Sequence, residues 1–177
     1  KVSDKIPVIK ALIPIADTIV LAGAMANTFL AHQHVRLGKS KVETGQDEII
    51  DEIYRLAEEK VGKSQVKDFL ILPTDLGVGT SIEPAATRRD VSIHAVTSEM
   101  LALDIGPESA TKMLEKVHAA KTVIWNGTLG MCEVPAFRAA SIQLATALIA
   151  KDAPKSLIGG GDTSDFVINW DERHGDS

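Results

Sequence analysis

The chain has 177 residues, 45% apolar and 24% charged, with 19 Lys plus Arg against 24 Asp plus Glu and a formal charge of −5. Such a chain can bury roughly 70% of its unfolded surface in one globular domain, and its composition excludes wholesale disorder, collagen and disulfide scaffolds. The acidic balance argues against nucleic acid or an anionic membrane as partner, and no run approaches the roughly 18 apolar residues of a membrane helix.

In chain order, Ile6, Ile9, Ile13 and Ala16 predict a helix face, with Pro7 tolerated only near the helix start. Thr18 to Leu21 predicts a short buried strand ending at Ala22-Gly23-Ala24, and Met25 to Gln33 a helix. Gly45 to Lys60 predicts a second amphipathic helix with Ile49, Ile53, Leu56 and Ala57 inward. Phe69 to Leu72 reads as a strand, and residues 74–100 as a poorly periodic, strand-rich excursion. Pro107 opens a helix to about His118, with Met113, Leu114 and Val117 inward. Lys121 to Trp125 is a strand ended by Asn126-Gly127, and Pro135 to Ala150 a long Ala-rich helix. Ser156 to Ile158 is a strand ended by Gly159-Gly-Gly161, and Asp162 to Trp170 opens a last helix. Strand, glycine-rich turn and helix in repetition predict an α/β, Rossmann-like fold: a three-layer parallel sheet with helices on both faces. Ligands of such sheets sit at the carboxyl ends of the strands, where these turns fall.

Gly159-Gly-Gly-Asp-Thr163 offers backbone N–H groups and a helix N-terminus to an anion, with Asp162 and Thr163 placed for Mg²⁺ and a phosphate oxygen. It equally suits a tight turn with Asp162 as N-cap. Trp125-Asn-Gly-Thr-Leu-Gly130 is a second strand-to-turn junction, with two glycines three apart allowing close ligand approach. Glu133 there suits either ribose hydroxyls or the dipole of a helix start. Ala22-Gly23-Ala24 leaves room for a flat ring, or for close helix–strand packing. Lys1 and Lys5, four apart, share a helix face and either flank an anion or are solvated. His32 and His34 are expected to be solvated, and Cys132 packed rather than reactive. One cysteine allows no internal disulfide, which fits a reducing compartment, and a cytoplasmic location is expected. The chain begins at Lys1 without a basic-then-apolar leader.

Taken together and in order, Lys-Val-Ser-Asp-Lys-Ile, the small-residue loop with Met-Ala-x-Thr-Phe-Leu, Leu-Asp-Ile-Gly-Pro, Trp-Asn-Gly and Gly-Gly-Gly-Asp-Thr resemble the phosphoglycerate kinase family from Lys1 to about Trp170. The resemblance is to the C-terminal, nucleotide-binding half of that two-domain enzyme, so residues 1–177 are expected to be one nucleotide-binding domain. It implies phosphoryl transfer between 1,3-bisphosphoglycerate and ADP in glycolysis, giving 3-phosphoglycerate and ATP. The partner N-terminal domain, which binds 3-phosphoglycerate, is absent from the sequence, so this half alone is expected to be inactive. By the same resemblance Lys1 stabilises the transferring phosphoryl group, and Lys5 contacts the nucleotide phosphates. Gly23 and Ala24 line the adenine slot, with Leu103 and Met131 on its apolar walls. Asn126 and Gly127 lie along the phosphate path, and Glu133 holds the ribose. Gly160, Gly161, Asp162 and Thr163 hold the phosphates of ATP or ADP, with Asp162 on Mg²⁺.

The sequence departs from the family pattern at Ala22 and Ala24, where glycines are usual, at Thr128 for a proline, and at Cys132 for an aromatic residue. A different reading is a nucleotide-binding module without catalysis, with a scaffold or regulatory role. A dinucleotide-dependent dehydrogenase domain is disfavoured, because no Gly-x-Gly-x-x-Gly loop occurs.

Overall fold

The structure, a computed structural model, describes residues 1–174, the side chains of Asp162 and of residues 171–174 excepted. Its elements run α1 (Val2–Leu12), β1 (Ile19–Val20), α2 (Gly23–His32), α3 (Asp47–Val61), α4 (Val66–Phe69), β2 (Leu70–Ile71) and β3 (Asp75–Gly79). There follow β4 (Arg89–Ser92), β5 (Leu101–Ile105), α5 (Pro107–Ala119), β6 (Thr122–Asn126), α6 (Ala139–Leu148), β7 (Lys155–Gly159) and α7 (Gly161–His174).

The expected α/β, Rossmann-like organisation is present. β1 and β2 pair in parallel, Ile19 opposite Leu70, and β6 and β7 pair in parallel from Thr122–Lys155 to Asn126–Gly159. The excursion is a three-stranded antiparallel sheet with β3 between β4 and β5.

α1 continues through Pro7, which stands in its interior rather than near its start. The lost backbone bond is offset by the burial of Ile6 and Ile9 on the helix and of Ile13 just after it, each worth about 1.5–3 kcal/mol. These residues join Phe29, Ile50, Ile53, Ala57 and Phe69 in one core that holds α1, α2 and α3 against β1 and β2. Ile50 is the buried partner of Ile53 on α3, while Ile49 and Leu56 are only half-buried. A second core, around Trp125, Met113, Leu144 and Phe166, holds α5, α6 and α7 against β6. Val20 and Ala22 also pack into this second core, so β1 serves both.

The long Ala-rich helix is shorter than its sequence pattern. A 3₁₀ turn over Pro135–Phe137 precedes α6, and Arg138 bends back to donate its Nε–H to the Cys132 carbonyl. Fully buried Phe137 fixes that turn. His34, just past α2, takes a left-handed φ of 65°. That conformation costs a side-chain-bearing residue about 1–2 kcal/mol, and glycine avoids most of it. His34→Gly is therefore expected to stabilise the fold by about 1 kcal/mol or less, read as a higher urea midpoint. An unchanged or lower midpoint would contradict this.

Candidate functional site

Three glycine-bearing turns follow the carboxyl ends of β1, β6 and β7, and the structure brings them together. Gly23 opens α2 with φ +64°, and a methyl group added to it would lie 3.8 Å from the Thr128 carbonyl oxygen and 3.9 Å from that of Leu129. The turn after β1 thus lies against the turn after β6. Gly127 has φ +91°, a conformation that favours glycine, and a methyl group there would sit 3.3 Å from Lys5 Nζ. Lys5 therefore brings its ammonium from α1 to the turn after β6. Across the parallel ladder, Asn126 is opposite Gly159. The Asn126 side chain lies within 3.2–3.4 Å of the Cβ positions that Gly159 and Gly160 lack. Lys1 stands exposed one helical turn before Lys5.

The second and third turns are also bonded to each other. The Gly127 N–H donates to Thr163 Oγ1 at 2.7 Å, and Trp125 Nε1–H donates to the Gly127 carbonyl at 2.8 Å. Thr163 is fully buried and Trp125 nearly so. The Trp125 ring meets Phe166 of α7 edge-on, with centroids 6.3 Å apart.

α7 begins at Gly161, and the Ser164 N–H closes back on the Gly160 carbonyl at 3.0 Å. Asp162 is therefore the second helical residue and not the N-cap. The first-turn N–H groups of Gly161, Asp162 and Thr163 have no partner within the helix, and the dipole makes that end attractive to an anion. The Thr163 hydroxyl, expected at a phosphate oxygen, accepts the Gly127 N–H. That bond uses an oxygen lone pair and leaves the hydroxyl hydrogen to donate elsewhere. The expected Mg²⁺ contact of Asp162 falls on a side chain outside the described residues.

Leu103 and Met131, expected on the apolar walls of the adenine slot, are neighbours: the Met131 N–H donates to the Leu103 carbonyl at 2.8 Å. Both are half-buried, as are Gly23 and Ala24 at the start of α2. Gly130 does not serve ligand approach, contrary to the sequence reading. A Cβ there would meet the Phe137 carbonyl oxygen at 2.5 Å, and Asp104 Oδ1 and the Leu103 carbonyl oxygen at 2.7 Å, so this glycine answers to packing. Glu133 is exposed beside Cys132. Cys132 is packed, and burial pushes its thiol above its ordinary range, with the charges of Asp104 and Glu133 adding to the effect. It is a poor nucleophile. His32 is not solvated: its Nε2 lies 2.8 Å from Asp51 Oδ1, and its ring stacks on Tyr54.

Sequence reasoning missed the ion pair beneath this site. Arg88 Nη1 donates to Asp104 Oδ2 at 2.7 Å and to the Ala136 carbonyl at 3.1 Å. Its Nη2 donates to the Ile105 carbonyl at 2.9 Å and its Nε to Asp90 at 2.8 Å. The Asp104 side chain is fully buried and also accepts from the N–H groups of Ile105 and Ala140. It backs the loop carrying Gly130 and Met131.

Glycine-bearing turns gathered at one end of parallel strands, with a lysine at one of them and a helix N-terminus at another, define an α/β protein of the Rossmann-like class, a class whose ligands sit at the carboxyl ends of the strands. Comparison with known proteins makes the class specific. The phosphoglycerate kinase family model matches residues 1–174, and the chain belongs to that family. The phosphoglycerate kinase of Desulfosudis oleivorans is 40% identical over 171 residues, which cover 94% of this chain and 40% of the relative. That of Moorella thermoacetica is 40% identical over 163 residues, covering 92% and 40%. Phosphoglycerate kinase from Coxiella burnetii superposes with a TM-score of 0.86 at 31% identity, over 98% of this chain and 43% of that one. The chain thus spans about 40% of the length of the curated relatives it matches. Among the described residues, no helix is long and apolar enough to cross a membrane.

Proposed function

We propose that this chain is the nucleotide-binding half of a phosphoglycerate kinase, and that the three joined turns hold ADP or ATP. The observation that carries this reading is the convergence of Gly23, Asn126–Gly127 and Gly160–Thr163, built from three separate stretches of sequence, with the Lys5 ammonium beside Gly127. The adenine ring lies between the start of α2 and the Leu103–Met131 pair. Glu133 accepts from the ribose hydroxyls. The phosphates run along Asn126 and Gly127 to the N-terminus of α7, where backbone N–H groups and Lys5 neutralise their charge. Thr163 holds the Gly127 N–H, and its hydroxyl hydrogen and backbone N–H are the groups proposed to meet a phosphate oxygen.

Among the described residues, no group of three or more His, Cys, Asp or Glu side chains forms a cage for a metal ion. That fits Mg²⁺, which usually binds through one or two carboxylates together with substrate phosphates. Asp162 is the residue proposed to hold it, and the ion supplies charge neutralisation at the phosphates. The transfer needs no general base, because neither a carboxylate nor a nucleotide phosphate oxygen has a proton to lose. It needs alignment and neutralisation of the transferring group, the role proposed for Lys1. The acyl-phosphate substrate is bound by the other half of the enzyme, and the two halves close on each other. A cytoplasmic location is part of the same proposal.

Calorimetric titration with Mg·ADP tests the reading. Saturable binding is expected, weakened by Asp162→Ala at least about tenfold, the loss of roughly 1.4 kcal/mol carried by one charged contact. Equal affinity in both proteins, or no binding in either, would overturn it.

A further inference from the structure

We propose that Asn126–Gly127 is a deamidation site that the fold holds shut through Thr163 and Trp125. It is the only Asn-Gly pair in the sequence, the other asparagines being Asn27 before Thr28 and Asn169 before Trp170. Asparagine followed by glycine is the most labile amide context, because no side chain shields the next backbone nitrogen. In the reaction the Gly127 nitrogen loses its proton and attacks Asn126 Cγ. The new C–N bond closes a succinimide, and the side-chain nitrogen leaves as ammonia. Water then opens the ring at either carbonyl, giving aspartate or isoaspartate. The net change is one water consumed and one ammonia released, with no oxidant or reductant.

Asn126 is exposed, so water and base have access. Its neighbour is what the fold restrains. The Gly127 N–H is occupied by Thr163 Oγ1 at 2.7 Å, and the other side of the same residue, its carbonyl, is held by Trp125 Nε1–H at 2.8 Å. Ring closure needs Cβ and the following nitrogen on the same side of the Asn126 Cα–C bond. As the last residue of β6, Asn126 is extended, which turns the two apart. Both buried clamps must release before the nitrogen can reach Cγ. The site therefore reports local opening between the turn after β6 and the start of α7.

The test follows the folded wild type, Thr163→Val and Thr163→Ser at mildly alkaline pH by peptide mass spectrometry. Urea-unfolded wild type gives the unrestrained rate, and circular dichroism verifies folding throughout. The peptide with residue 126 is expected to gain the mass of an amide turned acid, ahead of those with Asn27 and Asn169. Folded wild type is expected to convert much more slowly than the unfolded chain. T163V is expected to convert about tenfold faster than folded wild type, as loss of one hydrogen bond predicts, and T163S at the wild-type rate. Equal rates for folded and unfolded wild type would overturn the proposal even if T163V does not fold. So would a folded T163V that converts no faster than wild type. The mass readout does not depend on nucleotide binding, so the two readings fail separately.

Discussion

Arg88→Met is expected to cost about 3–5 kcal/mol at neutral pH, because it leaves a buried carboxylate without its partner. Asp104 has no exposed side-chain surface and Arg88 is only 16% exposed, so water cannot screen the pair. Methionine replaces the aliphatic stem but neither the donors nor the guanidinium, whose Cζ lies 5.9 Å from the Phe137 ring centroid. Besides Asp104, the carbonyls of Ala136 and Ile105 lose their partner. A penalty of that size is a large share of the 5–15 kcal/mol that typically separates folded from unfolded chains.

The same variant carries a pH signature. Burial holds the Asp104 carboxyl above its ordinary value, against the opposing pull of Arg88 and of the Ala140 and Ile105 N–H groups. A carboxyl raised in the fold keeps its proton to higher pH than in the unfolded chain. Its contribution to stability is therefore greatest in acid and falls as pH rises from 3.8 through the raised value. Without Arg88 the raised value moves further up and the window widens. The deficit of R88M is thus expected to shrink on acidification, measured by urea unfolding of both proteins at neutral and acid pH. Adding Asp104→Leu is expected to recover part of the neutral-pH deficit. A deficit that is flat with pH and unrelieved by the second change would show that Asp104 is not the charge left behind.

How far the sequence reveals this arrangement depends on the range of each interaction. α1, α3 and α5 are legible because an apolar residue every three or four positions must face a core, and Ile6, Ile9, Ile53, Met113 and Val117 do so. The turns after β1, β6 and β7 are legible because short apolar runs end in glycine. β3 is legible only as part of a strand-rich excursion: all five residues of Asp75-Leu-Gly-Val-Gly79 are buried, so no alternation marks its bounds. β4 has the opposite problem, since three of its four residues are exposed. The Thr163–Gly127 bond joins positions 36 apart, and Arg88 meets Asp104 across 16. No local pattern records such contacts. The roles of Lys1, Glu133 and Asp162 rest on family resemblance and chemistry, whereas the gathering of Lys5, Gly23, Gly127 and Gly160 rests on geometry. The two glycines of the turn after β6 look alike in sequence and part company in space.

Gly130→Ala separates those roles, with an expected loss of about 3–5 kcal/mol. Its new methyl group meets three fixed oxygens at 2.5–2.7 Å, and two are main-chain carbonyls that cannot rotate away. The Phe137 carbonyl belongs to a 3₁₀ turn anchored by a fully buried ring. The Leu103 carbonyl already accepts the Met131 N–H. The third, Asp104 Oδ1, holds the Ile105 N–H. The loop must move outward, breaking buried hydrogen bonds and displacing Met131 and the Thr128–Leu129 carbonyls that lie beside Gly23. Mg·ADP affinity is therefore expected to fall together with the urea midpoint. Gly161→Ala is the counterpart, because a methyl group at Gly161 meets nothing within 4 Å. Its stability is expected to stay within about 0.5 kcal/mol of wild type. If G130A unfolds at the wild-type midpoint, the loop has slack that these contacts exclude, and the Leu103–Met131 wall is not held from below by Asp104 and Phe137.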